Sequence, residues 1–387
     1  MKSNYKVLGD YIQEVNVRND ELKDLDLLGI SIQKEFIPSI ANTIGTDMSK
    51  YKVVKKNQFA YGTVTSRNGD KISIALLQSH EEALISQAYI SFEIIDENEL
   101  LPEYLMMWFR RPEFDRYARY MSYGSAREVF SWEEMCNVSL PIPSIKKQRE
   151  IVKEYNVVLD KLISNDMKIK KLEEFAQSIY KHYFIRSFDY DVEICESDRG
   201  RFKDTELGKI PYNWNILKLE ECIEIHDSKR IPLSKDEREK RKKIYPYYGA
   251  SSLMDFVDDY IFDGIYILMG EDGTVMDEFG YPILQYVWGK FWVNNHAHVI
   301  CGKDNFSNEF LYLTLKQTNV SDLITGAVQQ KINQENMKSI SIIVPDKTTL
   351  EKFDHIVKPI FKNIRSTMEC NNKLNLLKDM LLLRLSS

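Results

Sequence analysis

Cysteine is scarce in this chain and carries no pattern. The five cysteines (Cys136, Cys195, Cys222, Cys301, Cys370) are odd in number, widely spaced and form no Cys-x-x-Cys pair, which excludes a disulfide framework and a thiolate zinc cluster as the organising feature. They read as buried thiols. No apolar run reaches the roughly 18 residues that a membrane-spanning helix needs, and the opening Met-Lys-Ser-Asn-Tyr lacks the apolar stretch of a signal peptide. The expectation is a soluble, cytoplasmic protein with no membrane partner. Catalytic signatures are missing too. There is no Gly-rich phosphate cradle with Lys-Ser/Thr, no Ser nucleophile elbow, no His-Glu-x-x-His and no Asn-Pro-Pro-aromatic, so no nucleotide-, zinc- or acyl-transfer chemistry is encoded in a recognisable form. Excess positive charge is also lacking. A net charge of −6 excludes indiscriminate nucleic-acid binding, which needs clustered Lys and Arg to neutralise phosphates.

What the chain has is repetition. At 387 residues, 43% hydrophobic and 28% charged, it is long enough for two or three globules with real cores. Glu103-Tyr104-Leu105 opens a stretch running through Gly124, Met135 and Pro143, and Glu309-Phe310-Leu311 opens another running through Gly326, Met337 and Pro345. From Gly124 onward the copies keep an offset of 202 residues (124 to 326, 135 to 337, 143 to 345). A period this long means two similar domains in tandem, not a solenoid of small units.

Each copy ends in a heptad pattern. Ile151, Val158, Asn165, Leu172 and Ile179 fall at a, with Tyr155, Leu162, Ile169, Ala176 and Tyr183 at d. The second copy places Phe353, Ile360, Thr367, Leu374 and Leu381 at a, with Val357, Ile364, Asn371, Lys378 and Leu385 at d. One apolar seam at period 3.5 is the pattern of helices packing as a coiled coil, and two such helices in one chain most simply pair with each other. Asn165 and Thr367 share a heptad position where a polar side chain fixes register. Pro359 predicts a bend in the second helix.

The rest divides around these helices. Residues 1–144 mix short β-rich runs (71–77, 88–95) with turns and an aromatic, arginine-rich helix from about Pro102 to Tyr120, which together predict an α+β globule. Residues 145–186 form the first long helix, 187–213 a polar linker, 214–344 a second globule with strands at 260–269, 283–287 and 291–293, and 345–387 the second long helix. Residues 229–243 hold eight basic residues (Lys229, Arg230, Lys235, Arg238, Lys240, Arg241, Lys242, Lys243) against three acidic ones, beside the aromatic turn 245–249. That composition suits a phosphate-tracking loop, although a charge run is more often a solvated helix face. The first half has a thinner basic set in Lys52, Lys55, Lys56, Arg67 and Lys71, joined by Arg110, Arg111, Arg116, Arg119 and Arg127. Glu271-Asp272-Gly273 reads as a turn. His296-x-His298-x-x-Cys301 contains good zinc ligands, yet strand alternation explains the His pair without a metal. No metal site and no catalytic residue is assigned.

In order along the duplicated frame, several segments resemble the specificity (S) subunits of type I restriction-modification systems. These are Pro141-Ile142-Pro143 followed by Gln148, the stretch Leu207-Gly208-Lys209-Ile210-Pro211-Tyr212-Asn213-Trp214, and Tyr247-Tyr248-Gly249-Ala250-Ser251. Phe262-Asp263-Gly264 leading to Gly270-Glu271-Asp272-Gly273, and the run 289–298, complete the set. The resemblance covers essentially the whole chain. It implies an α+β architecture of two tandem target-recognition domains of mixed α/β type, separated by two long antiparallel coiled-coil helices in a pseudo-twofold arrangement. It also implies a subunit without catalytic activity that reads a bipartite, asymmetric double-stranded DNA target. Such a subunit docks methyltransferase (M) subunits and, through them, restriction/translocase (R) subunits. No cofactor is then expected in this chain, S-adenosylmethionine, ATP and magnesium being bound by the partners. A helix of about 35 residues spans roughly 50 Å, on the order of 15 base pairs, an upper limit on half-site separation.

Base readout needs Arg, Lys, Asn, Gln, Ser or Thr on loops. Candidates for DNA contact are Thr63, Ser66, Arg67, Asn68, Ser125 and Arg127 in the first globule, and Tyr248, Ser251, Ser252, Gln329, Gln330 and Lys331 in the second. The loops at Gly124 and Gly326 recur in both copies with different neighbours, as two unlike half-sites would demand. Two other readings stay open: the recognition part of a fused nuclease or methyltransferase, and a coiled-coil scaffold that binds no DNA.

Overall fold

The computed structural model describes residues 5–41, 45–66, 69, 71–123, 128–185, 202–326 and 330–386. The chain forms two compact units, residues 1–164 with 371–387, and residues 165–370.

In the first unit, a four-stranded antiparallel sheet runs in the order Ile12–Val15, Tyr89–Ile94, Phe59–Gly62, Ile74–Leu76. Alternation along these strands sends Ile12, Phe59, Tyr61, Ile74, Phe92 and Ile94 into one core. There Phe59 stacks on Phe92 at 4.8 Å and Phe109 meets both edge-on. A five-stranded sheet (Val17–Arg18, Lys52–Lys55, Glu82–Ile85, Leu27–Ile30, Phe36–Pro38) contains one parallel pair, Leu27–Ile30 with Glu82–Ile85. The sequence predicts a single helix from about Pro102 to Tyr120, but two form, Pro102–Phe109 and Pro112–Tyr120. Pro112 has no N–H to donate and holds Arg111 extended (ψ 138), so the first helix stops and a second begins with proline at its first position.

In the second unit, a six-stranded sheet runs Ile223–Ile225, Ala297–Gly302, Phe262–Gly270, Leu284–Val293, Tyr245–Tyr248, Leu253–Val257. The two strands expected at 283–287 and 291–293 are one, Leu284–Val293. Gly289 carries the chain through at φ 76, opposite Gly264 at φ 146. Only glycine adopts these values without strain, so what reads as a break is a local distortion inside a continuous strand. Residues 202–211, placed in the linker by composition, include a hairpin (Phe202–Thr205 with Gly208–Pro211), and Ile210 and Trp214 lie in this unit's core.

The two units repeat one plan. The short helices Trp132–Cys136 and Gln334–Lys338 are both capped by a side chain, from Ser131 and Asn333, and each buries its methionine, Met135 and Met337, completely. The strand that follows pairs antiparallel with an early strand in each unit: Ser139–Pro141 with Tyr5–Val7, and Ser341–Val344 with Asn215–Lys218.

The long helices run Ile145–Phe184 and Lys347–Leu383, the second continuing through Pro359. Every assigned heptad a and d residue is buried or partly buried. In the first unit, Ile151, Tyr155, Val158 and Leu162 share a core with Leu374, Leu381 and Leu385. In the second, Ile169, Leu172, Ala176, Ile179 and Tyr183 share one with Phe353, Val357, Ile360 and Ile364. Within each unit, therefore, the helices meet in opposite sense, as an antiparallel coiled coil. Gln148 anchors the start of the first: its fully buried amide accepts from Leu101 N and donates to the carbonyls of Glu99 and Pro143 at 2.8 to 2.9 Å.

Candidate nucleic-acid interface

The pseudo-repeat is sharpest where the sequence places the reading loops. In the first unit, Tyr123 and Val64 both form antiparallel bridges to Val129; in the second, Thr325 and Asp272 both bridge to Lys331. Phe130 N donates to Thr63 O, as Ile332 N donates to Glu271 O, each at 2.9 Å. One backbone frame thus brings a sheet-end loop (63–66, 271–273) against a returning loop (128–130, 330–332). The side chains at equivalent positions differ: Val64 and Val129 against Asp272 and Lys331. Thr63 and Ser66 lie in the first of these frames, with Ser66 exposed. Arg67, Asn68, Ser125, Arg127 and Gln329 lie outside the described residues.

The second frame gathers two further segments. Glu271 N donates to His296 O, and the His296 ring is hydrogen-bonded to Asp272. A Cβ added at Gly270 would stand 3.1 Å from Thr274 O, 3.2 Å from Val275 Cα and 3.4 Å from Ala250 O. That close approach favours glycine, and the Ala250 carbonyl places the turn 249–252 beside the 270–275 loop. Ser251 and Ser252, exposed on this turn, therefore share an edge with Gln330 and Lys331. Tyr248 stands apart: its ring packs edge-on against Phe291 at 5.8 Å and burial pushes its hydroxyl pKa up. Asp272 and His296 join the edge without having been selected from the sequence. The His296-x-His298 alternation places His296 at a strand end, but nothing local in the sequence brings it to Asp272.

Beneath the edge lies a buried ionic cluster. His298 Nε2 is 2.8 Å from Ile332 O and Nδ1 is 2.7 Å from Asp227 Oδ2. Arg230 donates to Glu271 Oε2 at 2.6 Å and to Ala297 O at 2.7 Å. Lys331 Nζ stands 3.4 Å from Glu271 Oε1. Burial pushes the Asp227 carboxyl up, but the His298 hydrogen bond and charge, the Val299 amide and Arg230 together outweigh it, holding Asp227 below its usual range. Glu271, Asp227 and His298 offer three ligand atoms within 4.8 Å of one another, yet Arg230 and Lys331 already supply the cationic charge a metal would bring. The Cys301 thiol of the sequence motif points elsewhere, lying 3.2 Å from His226 Nε2.

Half of the basic residues of the stretch 229–243 pair with acidic side chains elsewhere in the fold, Arg230 as above. Arg238 pairs with Asp255 and lies over the Tyr247 ring, Arg241 pairs with Asp258 and lies over Trp292, and Lys243 pairs with Asp255. Lys229, Lys235, Lys240 and Lys242 stay exposed, Lys235 beside Glu239 of its own short helix. In the first unit, Lys52 is buried and donates to Tyr89 O, while Lys55, Lys56, Arg116 and Arg119 each face a glutamate. Among the described residues, then, the basic side chains divide between those paired within the fold and those left at the surface.

Residues 211–376 match the family model described as the type I restriction modification DNA specificity domain. A Haemophilus influenzae protein named as a type I restriction enzyme specificity subunit is 35% identical over 127 residues, which are 33% of this chain and 32% of that relative's length. The MjaIX type I specificity subunit of Methanocaldococcus jannaschii is 23% identical over 312 residues, 76% of this chain and 70% of the relative. Among solved structures, the S subunit of a type I restriction-modification system from M. genitalium matches with a TM-score of 0.54 at 14% identity, covering 99% of this chain and 96% of the other. At that identity the likeness speaks for the fold.

Proposed function

We propose that this chain, whose residues 211–376 match the type I restriction modification DNA specificity domain, is a specificity subunit that reads a bipartite, asymmetric double-stranded DNA target, one half with each unit. On this reading it catalyses nothing itself. It docks methyltransferase subunits and, through them, restriction subunits in the cytoplasm, and the partners bind S-adenosylmethionine, ATP and magnesium. The carrying observation is the twice-built loop frame with unlike side chains, Val64 and Val129 in one copy and Asp272 and Lys331 in the other. A constant backbone places the contacts and the variable side chains choose the bases. The net charge of −6 fits a subunit whose partners supply much of the phosphate contact. The test is selection from random DNA by the complex of this chain with its methyltransferase, followed by mapping of methylated adenines. Two short unlike motifs at a fixed gap are expected, and Gln330→Ala should relax preference in one motif only. A complex that selects no sequence, or a single continuous motif, refutes the proposal.

A further inference from the structure

We infer that His298, Asp227, Arg230 and Glu271 are positioning residues that fix the reading edge of the second unit, at positions whose equivalents in the first unit are uncharged. The part concerning DNA rests on the function proposed above. Four ionisable side chains lie here with exposures of 1% (His298), 8% (Asp227), 12% (Arg230) and 15% (Glu271). Such burial is costly unless each group is paired, and the pairing then dictates where the partners stand. Their partners are the backbone of the edge itself. His298 holds the Ile332 carbonyl, one residue from Lys331. Arg230 holds the Ala297 carbonyl and reaches Asn295 O at 3.4 Å, on the turn that carries His296. Asp227 accepts from Val299 N at 2.9 Å and from Gln334 at 3.1 Å, tying the strand to the short helix after the returning loop. Glu271 closes the set by pairing with Arg230 and Lys331.

Strand register identifies the equivalents in the first unit. Gly62 pairs with Tyr89 as Gly270 pairs with Ala297, so Ile90 stands where His298 does. The shared bond from the returning loop sets Thr63 where Glu271 is. Ile12 faces Ile94 as Ile223 faces Gly302, which brings Asn16 to the place of Asp227, and Asn19 follows it as Arg230 follows Asp227. Not one of these four equivalents is charged. The four positions carry an ionic cluster in one copy and uncharged side chains in the other, whose returning loop is held instead by Arg119 paired with Glu128 at 3.4 Å, so a lesion in the cluster should strike one half of the target and spare its twin.

The experiment uses the full chain, free for hydrogen exchange and with its methyltransferase for DNA selection. His298→Ile leaves Asp227 and the Ile332 carbonyl without their imidazole partner. Amides of 271–273 and 330–332 should then exchange on the order of tenfold faster, with first-unit amides unchanged. Preference in the second unit's motif should flatten while the other motif is kept. The fourfold graft Asp227→Asn, Arg230→Asn, Glu271→Thr, His298→Ile copies the first unit and leaves no unpaired buried charge, so protection should recover. Unchanged exchange at those amides in His298→Ile, equal loosening of both units, or a graft no tighter than the single variant would overturn the inference. A wild-type complex without sequence preference would count against the proposed function instead, the exchange data still deciding the positioning role.

Discussion

The chain passes from one compact unit to the other at two places, after Ser164 and after Cys370, both inside long helices. Inserting one seven-residue heptad at each place, with apolar a and d residues, keeps the seam in register because the pattern repeats every 3.5 residues. Each helix lengthens by about 10 Å at 1.5 Å per residue. Along duplex DNA that is about three base pairs at 3.4 Å each. The heptad drifts by only about 20° relative to a straight helix, whereas three base pairs turn the duplex through roughly 100° on a repeat of about 10.5. The lengthened protein must absorb that difference by twisting the DNA or itself. The expected outcome is a preferred gap about three base pairs longer, both motifs intact and affinity reduced, read by methylation of a target library whose gap varies one base pair at a time. An insertion in one helix alone slips the seam and should abolish methylation. If the doubly lengthened protein kept the original gap, the helices would not set the spacing.

Two further outcomes follow from packing and charge. Phe353 is fully buried and its ring meets Tyr180, Tyr183, Phe184 and Phe310; Phe353→Ala should cost about 3–5 kcal/mol in the second unit's denaturant unfolding, and a loss under about 1 kcal/mol would mean the seam contributes little. The Asp227 carboxyl is more acidic folded than its ordinary value of 3.8. Its contribution to stability is therefore present above about pH 4 and lost as pH falls through the lower native pKa, so Asp227→Asn should flatten the acid limb of the second unit's stability curve. A curve of unchanged slope would contradict that.

Much of the architecture could be read from local pattern. The offset of 202 residues and the heptads are periodic signals, and periodicity survives without knowing the fold; Asn165 and Thr367 are both buried in the seam as their shared heptad position requires. The split at Pro112 is local too, since proline both ends the helix before it and starts the next. The interface was less legible because its chemistry is assembled across long separations. Arg230 finds Glu271 and His298 finds Asp227 across dozens of residues. A basic run is equally consistent with free lysines and with arginines paired to strands not yet placed. Only register could show that Arg238 and Arg241 are spent on Asp255 and Asp258.

The first unit draws on residues 371–387 as well as 1–164, and Leu381, Leu382 and Leu385 are core residues beside Tyr155 and Val158. During synthesis the ribosome must therefore finish more than two hundred intervening residues of the second unit before the first can seal its apolar surface. A nascent chain carries that opening throughout, a window for chaperones, and a stop codon near residue 371 should cripple the globule encoded at the beginning of the message while sparing the one encoded in its middle.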